Sequence, residues 1–304
     1  MKLAVLGTGS RGNAVAVEAD GAALLVDAGF GPRALLRRAE LVGIDLTRLA
    51  GIVLTHEHGD HARGAAILAA RMGCGLYGSP GTLAALGRGG IPLPPLGQSL
   101  TIGPFRVDAA RTAHDAREPV AVLVTDAAGG RLGIAWDLGR PTAGVRHLLR
   151  GAHALVLESN HDEVMLQTGP YPASVRQRIG GSTGHLSNRL AAELAGDLWW
   201  PLLEVVVLAH VSELCNDADL ALRTVGQVLR RRGFRGRLYA AGQRDPLPAI
   251  TLRAPAQLAL ALTPAPASGP MPGGLAQGSG PAPAAVPTPM TVPPLPAPTP
   301  GSSA

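Results

Sequence analysis

Three imidazoles and two carboxylates fall within six residues, His56-Glu57-His58-Gly59-Asp60-His61, directly after the apolar run Gly51-Ile52-Val53-Leu54. Few structural needs explain that density of titratable groups. Imidazole nitrogen and carboxylate oxygen without a neighbouring thiolate suit Zn²⁺, or a harder ion such as Mn²⁺ or Fe²⁺. The end of a strand holds such groups rigidly at the edge of a sheet, where a substrate can reach them. Other polar residues stand behind comparable apolar runs: Asp27 in Leu24-Leu25-Val26-Asp27-Ala28-Gly29, His114 in Thr112-Ala113-His114-Asp115, Asp137 in Ile134-Ala135-Trp136-Asp137 and His210 in Val207-Leu208-Ala209-His210. Taken singly, each reads as an ordinary surface or hydrogen-bonded residue.

The elements that must carry these groups are legible as short apolar, β-branched runs bounded by Gly or Asp, at 3–6, 14–18, 23–26, 51–54, 105–109, 120–125, 131–136, 154–157 and 205–208. Helical periodicity, several times opened by Pro, Ser or Asp, is predicted at 32–42, 62–72, 82–86, 143–149, 172–179, 187–194 and 218–232. Strands in hairpin-like pairs dominate the first half and helices separate the later strands. This suits stacked sheets with helices outside.

A chain of 304 residues, 46% hydrophobic, can bury a large core. Residues 1–253 are expected to form it. Residues 254–304 contain no charged side chain and are rich in Pro, Ala and Gly, which predicts a disordered tail. The formal charge of +5 therefore sits on the first part and favours an anionic partner. The run Arg230, Arg231, Arg232, Arg235 and Arg237 is read equally well as a solvated helix end or a phosphate-contacting patch. The two cysteines, Cys74 and Cys215, form no CxxC pattern and indicate neither a disulfide framework nor a thiolate site. No signal peptide and no membrane span are read in the sequence, so a cytoplasmic protein without a membrane partner is expected.

The His-x-His-x-Asp-His pattern after an apolar strand resembles the signature of the metallo-β-lactamase fold superfamily. The resemblance implies an α/β architecture, a four-layered αβ/βα sandwich with the site at one edge. It implies two divalent metal ions, Zn or Mn, one held by His56, His58 and His114 and the other by Asp60, His61 and His210, with Asp137 between them. Asp27 would orient the ligand turn by hydrogen bonds. Gly9-Ser10-Arg11-Gly12-Asn13, Glu158-Ser159-Asn160-His161-Asp162, Gly169-Pro170-Tyr171-Pro172 and Gly184-His185-Leu186-Ser187-Asn188 together are similar to the WalJ-type (YycJ-like) branch of bacterial nucleases. That likeness implies exonuclease action on DNA, 5′ to 3′, with a place in DNA repair. It implies substrate contacts from Ser10, Asn13, Asn160, Ser187 and Asn188. Arg11, Gly59 and Trp136 depart from the branch pattern, and none of them removes a ligand.

Two divalent ions a few ångströms apart lower the pKa of a shared water and neutralise a phosphoryl oxygen. The departing alkoxide then needs a proton. His185 is the expected donor, beside Asp60 as the other catalytic residue, because a Gly before it and a helix start after it project an imidazole and leave N–H groups free for phosphate. The alternative for Ser187 or His185 is a simple helix cap. The same cluster also serves cyclic phosphodiesterases, the alternative reading, while a non-catalytic nucleic-acid binding module predicts eroded ligands. Aromatic residues are only 3% of the chain, so Arg contacts to the DNA backbone are expected to outweigh base stacking.

Overall fold

The computed structural model describes residues 1–87 and 89–253; the tail expected at 254–304 lies outside the described residues. The first half of the chain builds β1 (Lys2–Gly7), β2 (Ala14–Ala19), β3 (Ala22–Val26), α1 (Pro32–Leu41), β4 (Leu49–Val53), α2 (Gly59–Ala62), α3 (Ala65–Met72), β5 (Gly75–Gly78), α4 (Pro80–Leu86) and β6 (Ile91–Pro92). The second half builds β7 (Leu100–Ile102), β8 (Phe105–Arg111), β9 (Val120–Thr125), β10 (Arg131–Ala135), α5 (Ala143–Leu149), β11 (Ala154–Glu158), α6 (Glu163–Thr168), α7 (Ala173–Ile179), α8 (Asn188–Leu198), β12 (Val205–Ala209), α9 (Ala218–Arg231), β13 (Arg237–Ala240) and β14 (Ile250–Thr251). All nine expected strands are present. The strands absent from the sequence reading are short: β5, β6 and β13 carry Gly, Pro or Arg where β-branched residues would mark a strand, as in Gly75-Leu76-Tyr77-Gly78 and Arg237-Leu238-Tyr239-Ala240, and β7 and β14 span only three and two residues.

The strands form two seven-stranded sheets, ordered β14-β1-β2-β3-β4-β5-β6 and β13-β12-β11-β10-β9-β8-β7. Pairing is antiparallel from β1 to β3 and parallel from β3 to β6; it is antiparallel from β7 to β10 and parallel from β10 to β13. Parallel neighbours end at the same edge of a sheet. The loops that follow β3 and β4, and those that follow β10, β11 and β12, are thereby gathered at strand C-termini, the usual place for ligand sites in such sheets.

Side chains alternate between two apolar environments. Val15 and Val17 join Val122 and Val124 in a core between the sheets, while Ala14 and Ala16 face a second cluster containing Leu35 of α1 and Leu68 of α3. Ala121 and Leu123 point the other way, to a third cluster with Val145 of α5, Leu194 of α8 and Val225 of α9. Both faces of the central strands are therefore covered, and β9, β11 and β12 are buried at every position. Such strands read as continuous apolar runs, not as alternation. The result is the expected four-layered α/β sandwich.

The ligand turn after β4 is clamped from below. Asn13 N–H donates to Asp60 O (2.8 Å), Ala28 N–H to His61 O (2.7 Å) and Gly64 N–H to Ala28 O (2.8 Å). The approach is so close that a Cβ on Gly29 would lie 1.6 Å from Asp60 O, whereas one on Gly59 would meet nothing within 4 Å. Gly29→Ala is expected to destabilise the protein by about 1–3 kcal/mol through overpacking. Gly59→Ala, in the same turn and helical, should be neutral or stabilise by up to about 1 kcal/mol. Denaturant midpoints of the two variants check the opposite signs.

Candidate metal centre

The buried Asp27 carboxylate organises the strand ends. Its Oδ1 accepts from Thr55 N–H (2.8 Å); its Oδ2 accepts from Thr55 Oγ1 (2.7 Å), His61 Nδ1 (2.7 Å) and Trp136 Nε1 (2.9 Å). With Nδ1 donating to Asp27, His61 directs Nε2 to the opposite side, 2.6 Å from Asp137 Oδ2. Thr55 has one hydroxyl proton, and Asp27 takes it. The Thr55 oxygen, 3.1 Å from His56 Nδ1, is then left to accept from that ring, so His56 Nε2 carries the bare lone pair. Gly184 O, 3.1 Å from His114 Nδ1, fixes the same tautomer there, because a carbonyl only accepts.

Ligand atoms of His56, His58 and His114 lie within 4.8 Å of one another, as do those of Asp60, His61 and His210, and those of His56, His61 and Asp137. The ring centroids of His56 are 4.1 Å from those of His61, 4.6 Å from those of His58 and 5.1 Å from those of His114. Among the described residues, the buried nitrogens His56 Nε2 and His210 Nε2 have no hydrogen-bond partner. Orphaned buried nitrogen is costly unless something binds it. Bare imidazole lone pairs and carboxylates facing one another fit divalent cations.

The electrostatics of His56 and Asp137 agree with that fit. Burial, reinforced by the neighbouring His61, His114 and His58 rings, holds the His56 pKa well below its usual value, so the ring is neutral and able to donate its lone pair. Burial alone would raise the Asp137 carboxyl and lower His61, but the surrounding His210 and His61 push Asp137 well down, and Asp137 and Asp27 push His61 well up.

A buried acid to which the sequence reading gave no role completes the cluster. Glu158, at the end of β11, is 0% exposed. Its Oε1 lies 2.7 Å from His185 Nδ1 and 3.0 Å from His210 Nδ1, and its Oε2 accepts from Leu138 N–H (2.9 Å) and Leu186 N–H (3.2 Å). Burial works against the charge, yet His185 and these hydrogen bonds bring its pKa to about 2. One signal was present: a lone carboxylate closing Ala154-Leu155-Val156-Leu157-Glu158, otherwise a wholly apolar run. His185 is partly exposed, with Nδ1 also 3.1 Å from Asp137 Oδ1. Burial lowers its pKa, but Glu158 and Asp137 outweigh that and raise it well above the usual value.

The residues expected to touch substrate divide. Ser10 is exposed and shares a cavity wall with Asn160, His185, His210, Ser212 and Gln243. Asn13 does not, being 0% exposed: its Oδ1 accepts from Gly9 N–H (2.8 Å) and its Nδ2 donates to Gly9 O (3.1 Å) and lies 2.9 Å from His61 Nε2. Asn188 and Ser187 are each 2% exposed. Asn188 is consumed by Ser159 and Asn216, and Ser187 caps α8 by accepting from Leu190 N–H (3.3 Å) while bonding Glu163. Asn13 and Asn188 support the site from behind because their polar atoms are already spent inside the protein, whereas Ser187 lines a cavity together with His185 and Glu163. Asn160, 7% exposed, donates Nδ2–H to His210 O (2.9 Å) and so positions that loop as well as lining the cavity. Gln243, absent from the sequence reading, ties the Gly9–Asn13 loop through Arg11 N–H (2.8 Å) and Gly12 O (3.1 Å). His153 accepts from Arg131 N–H (3.1 Å), a structural role.

Trp136, a departure from the branch pattern, is 1% exposed and spends its indole N–H on Asp27. Arg11, another departure, pairs with Glu213 at 2.9 Å. Of the arginine run, Arg237 pairs with Glu204. Cys74 and Cys215 are free thiols, Cys215 buried and Cys74 partly so. Among the described residues no helix is long and apolar enough to cross a membrane.

Comparison with known proteins gives the same picture from sequence and from shape. The beta-lactamase superfamily domain profile matches residues 23–211. An exodeoxyribonuclease YycJ of Bacillus anthracis is 34% identical over 244 residues, 77% of this chain and 91% of that protein. An exodeoxyribonuclease WalJ of Streptococcus pneumoniae is 28% identical, covering 74% of this chain and 86% of that protein. The metallo-β-lactamase fold protein YhfI of Bacillus subtilis superimposes with a TM-score of 0.61 over 81% of this chain and 98% of its own, at 20% identity. The chain belongs to the beta-lactamase superfamily as a metal-dependent hydrolase of the metallo-β-lactamase fold, in the branch of the YycJ and WalJ proteins.

Proposed function

We propose that this protein is a DNA exonuclease that works from the 5′ end and depends on two divalent ions, Zn²⁺ or Mn²⁺. His56, His58 and His114 would hold one ion and Asp60, His61 and His210 the other, with Asp137 available to both groups. The observation that carries the reading is the convergence of these two ligand groups on Asp137 beside the Glu158–His185 pair, in a chain 34% identical to an exodeoxyribonuclease. When bound, the ions supply Lewis-acid stabilisation of a phosphoryl oxygen and activation of water.

The chain's own residues do the rest. Asp27 holds His61 in the tautomer that turns Nε2 toward the centre, and second contacts of this kind raise ligand basicity. Glu158 fixes the His185 ring through Nδ1 at 2.7 Å and stabilises its charged form, leaving Nε2–H as the proton to be given to the departing sugar oxygen. Glu158 itself stays ionised, restrained by two backbone N–H groups. Ser10, exposed and lining the same cavity as His185 and His210, would touch the phosphate backbone.

Digestion of end-labelled linear duplex DNA tests the activity. Protein stripped of metal should be inactive, recover with Mn²⁺ or Zn²⁺, and remain inactive as the Asp60→Ala, His61→Ala double variant; loss of a 5′ label before a 3′ label reports direction. Cleavage of small cyclic phosphodiesters with none on DNA, or DNA binding without cleavage by fully loaded protein, would overturn the reading. His185→Ala should lower turnover on DNA about 10²–10⁴-fold and much less on a p-nitrophenyl phosphodiester, whose leaving group needs no proton. Equal losses on both, with metals retained, would remove His185 from the donor role. Asp27→Asn should weaken metal affinity about 10–100-fold, measured by competition with a chelating dye.

A further inference from the structure

The Gly169-Pro170-Tyr171-Pro172 segment has no part in the metal centre, yet it delivers a side chain to it. Of the nine aromatic residues, three each of Phe, Tyr and Trp, eight are accounted for by packing. Phe105, Trp136 and Phe234 are core residues, Phe30 lies 4.4 Å from the Arg38 guanidinium, and Tyr77, Tyr239, Trp199 and Trp200 lie against the apolar clusters. Tyr171 belongs to no cluster. It lines a cavity of about 220 Å³ that also reaches His185 and His210.

Ile179, Val211 and Leu214 add apolar surface to that cavity, and Leu214 is left 54% exposed. Its polar wall carries Ser10, Asn160 and Gln243. Glu213, also on the lining, is flanked by Arg11 at 2.9 Å and Arg244 at 3.8 Å, both guanidinium groups being largely exposed. A half-buried aromatic ring with aliphatic neighbours, bordered by hydrogen-bonding groups and exposed cations, suits a planar heterocycle joined to a phosphate.

The platform is rigid before anything binds. Proline on either side of Tyr171 restricts the backbone, the one before by its own fixed φ and the one after by excluding helical conformations at Tyr171. Arg176 of α7 donates to Tyr171 O at 2.6 Å. At the far end of the same helix, His185 N–H donates to Ile179 O at 2.8 Å. One short segment thus ties the backbone of Tyr171 to that of His185.

We propose that Tyr171 is the stacking platform for the nucleobase next to the scissile phosphodiester, with Ile179 and Leu214 completing an apolar slot for it. This rests on the nuclease reading above. Sequence tolerance follows, because every base has a π-face.

The test is steady-state digestion of short DNA by the metal-loaded protein. Tyr171→Ala should raise KM about 5–150-fold, whereas Tyr171→Phe, which keeps the ring, should stay within about twofold. On DNA whose terminal nucleotide is abasic, the wild-type protein should fall to the level of Tyr171→Ala, and the variant should lose nothing more. A penalty for Tyr171→Ala that persists undiminished on the abasic end, or a Phe variant as impaired as Ala, would overturn the proposal. If the wild-type protein digests no DNA, the nuclease reading fails, and calorimetric binding of dAMP against deoxyribose 5-phosphate still decides the slot. A preference for dAMP that Tyr171→Ala abolishes supports it; equal affinity for the two ligands overturns it.

Discussion

A single carboxylate holds the active edge of this protein together. Asp27 sits at the end of β3, and its four hydrogen bonds reach the end of β4 through Thr55, the α2 turn through His61, and the end of β10 in the opposite sheet through Trp136. Fully buried as Asp27 is, its carboxylate left unpaired would cost several kcal/mol. The strand ends must therefore close on it together or not at all. Ligand geometry at His56 and His61 is a by-product of that closure, since both ring tautomers are set by where the Thr55 and His61 protons go.

The two sheets solve the same problem twice. Each changes from antiparallel to parallel pairing at one strand, β3 in the first and β10 in the second, and the acid after each adopts a left-handed backbone, Asp27 at φ 59° and Asp137 at φ 51°. The parallel neighbour of each then ends in polar residues: Thr55 after β4 donates to Asp27, His56 beside it lies 3.6 Å from Asp137, and Glu158 at the end of β11 bonds His185, which also contacts Asp137. The first half supplies Asp27, His56, His58, Asp60 and His61, and the second supplies His114, Asp137, Glu158, His185 and His210. Neither half holds a complete site, so the chemistry depends on packing of the core between the sheets.

This division explains what the sequence could disclose. The cluster of residues 56–61 is compact in the chain, and its chemistry is visible without a fold. His114, Asp137 and His210 acquire meaning only in sequence order and by resemblance, because it takes the sandwich to bring strands far apart in the chain to one edge. Glu158 carried only the weak signal of a charge ending an apolar run; its partners at His185 and His210 are 27 and 52 residues away. Asn13 and Asn188 show the opposite difficulty. A polar residue in a distinctive motif looks the same whether it faces substrate or props up a loop, and only burial separates the two. The short strands β5, β6, β7, β13 and β14 were illegible because sheet pairing, not local propensity, makes them strands.

Backbone strain marks where folding has been subordinated to chemistry. Among the described non-glycine residues, four have positive φ, and three of these, Asp27, Asp137 and His210, stand at strand ends in the candidate metal centre. Each such conformation costs about 1–3 kcal/mol and persists only when its surroundings fix it. The fixings are visible: Asp27 N–H donates to Val53 O (2.8 Å), His210 N–H to Thr8 Oγ1 (2.8 Å), and Asn160 Nδ2–H to His210 O (2.9 Å). Thr8 is in turn held through Asn13, the same amide that contacts His61. Of the residues that the sequence marks as substrate contacts, Asn13 and Asn160 thus help to hold the strained His210 in place, while Ser10 lines the cavity together with Gln243 and Tyr171.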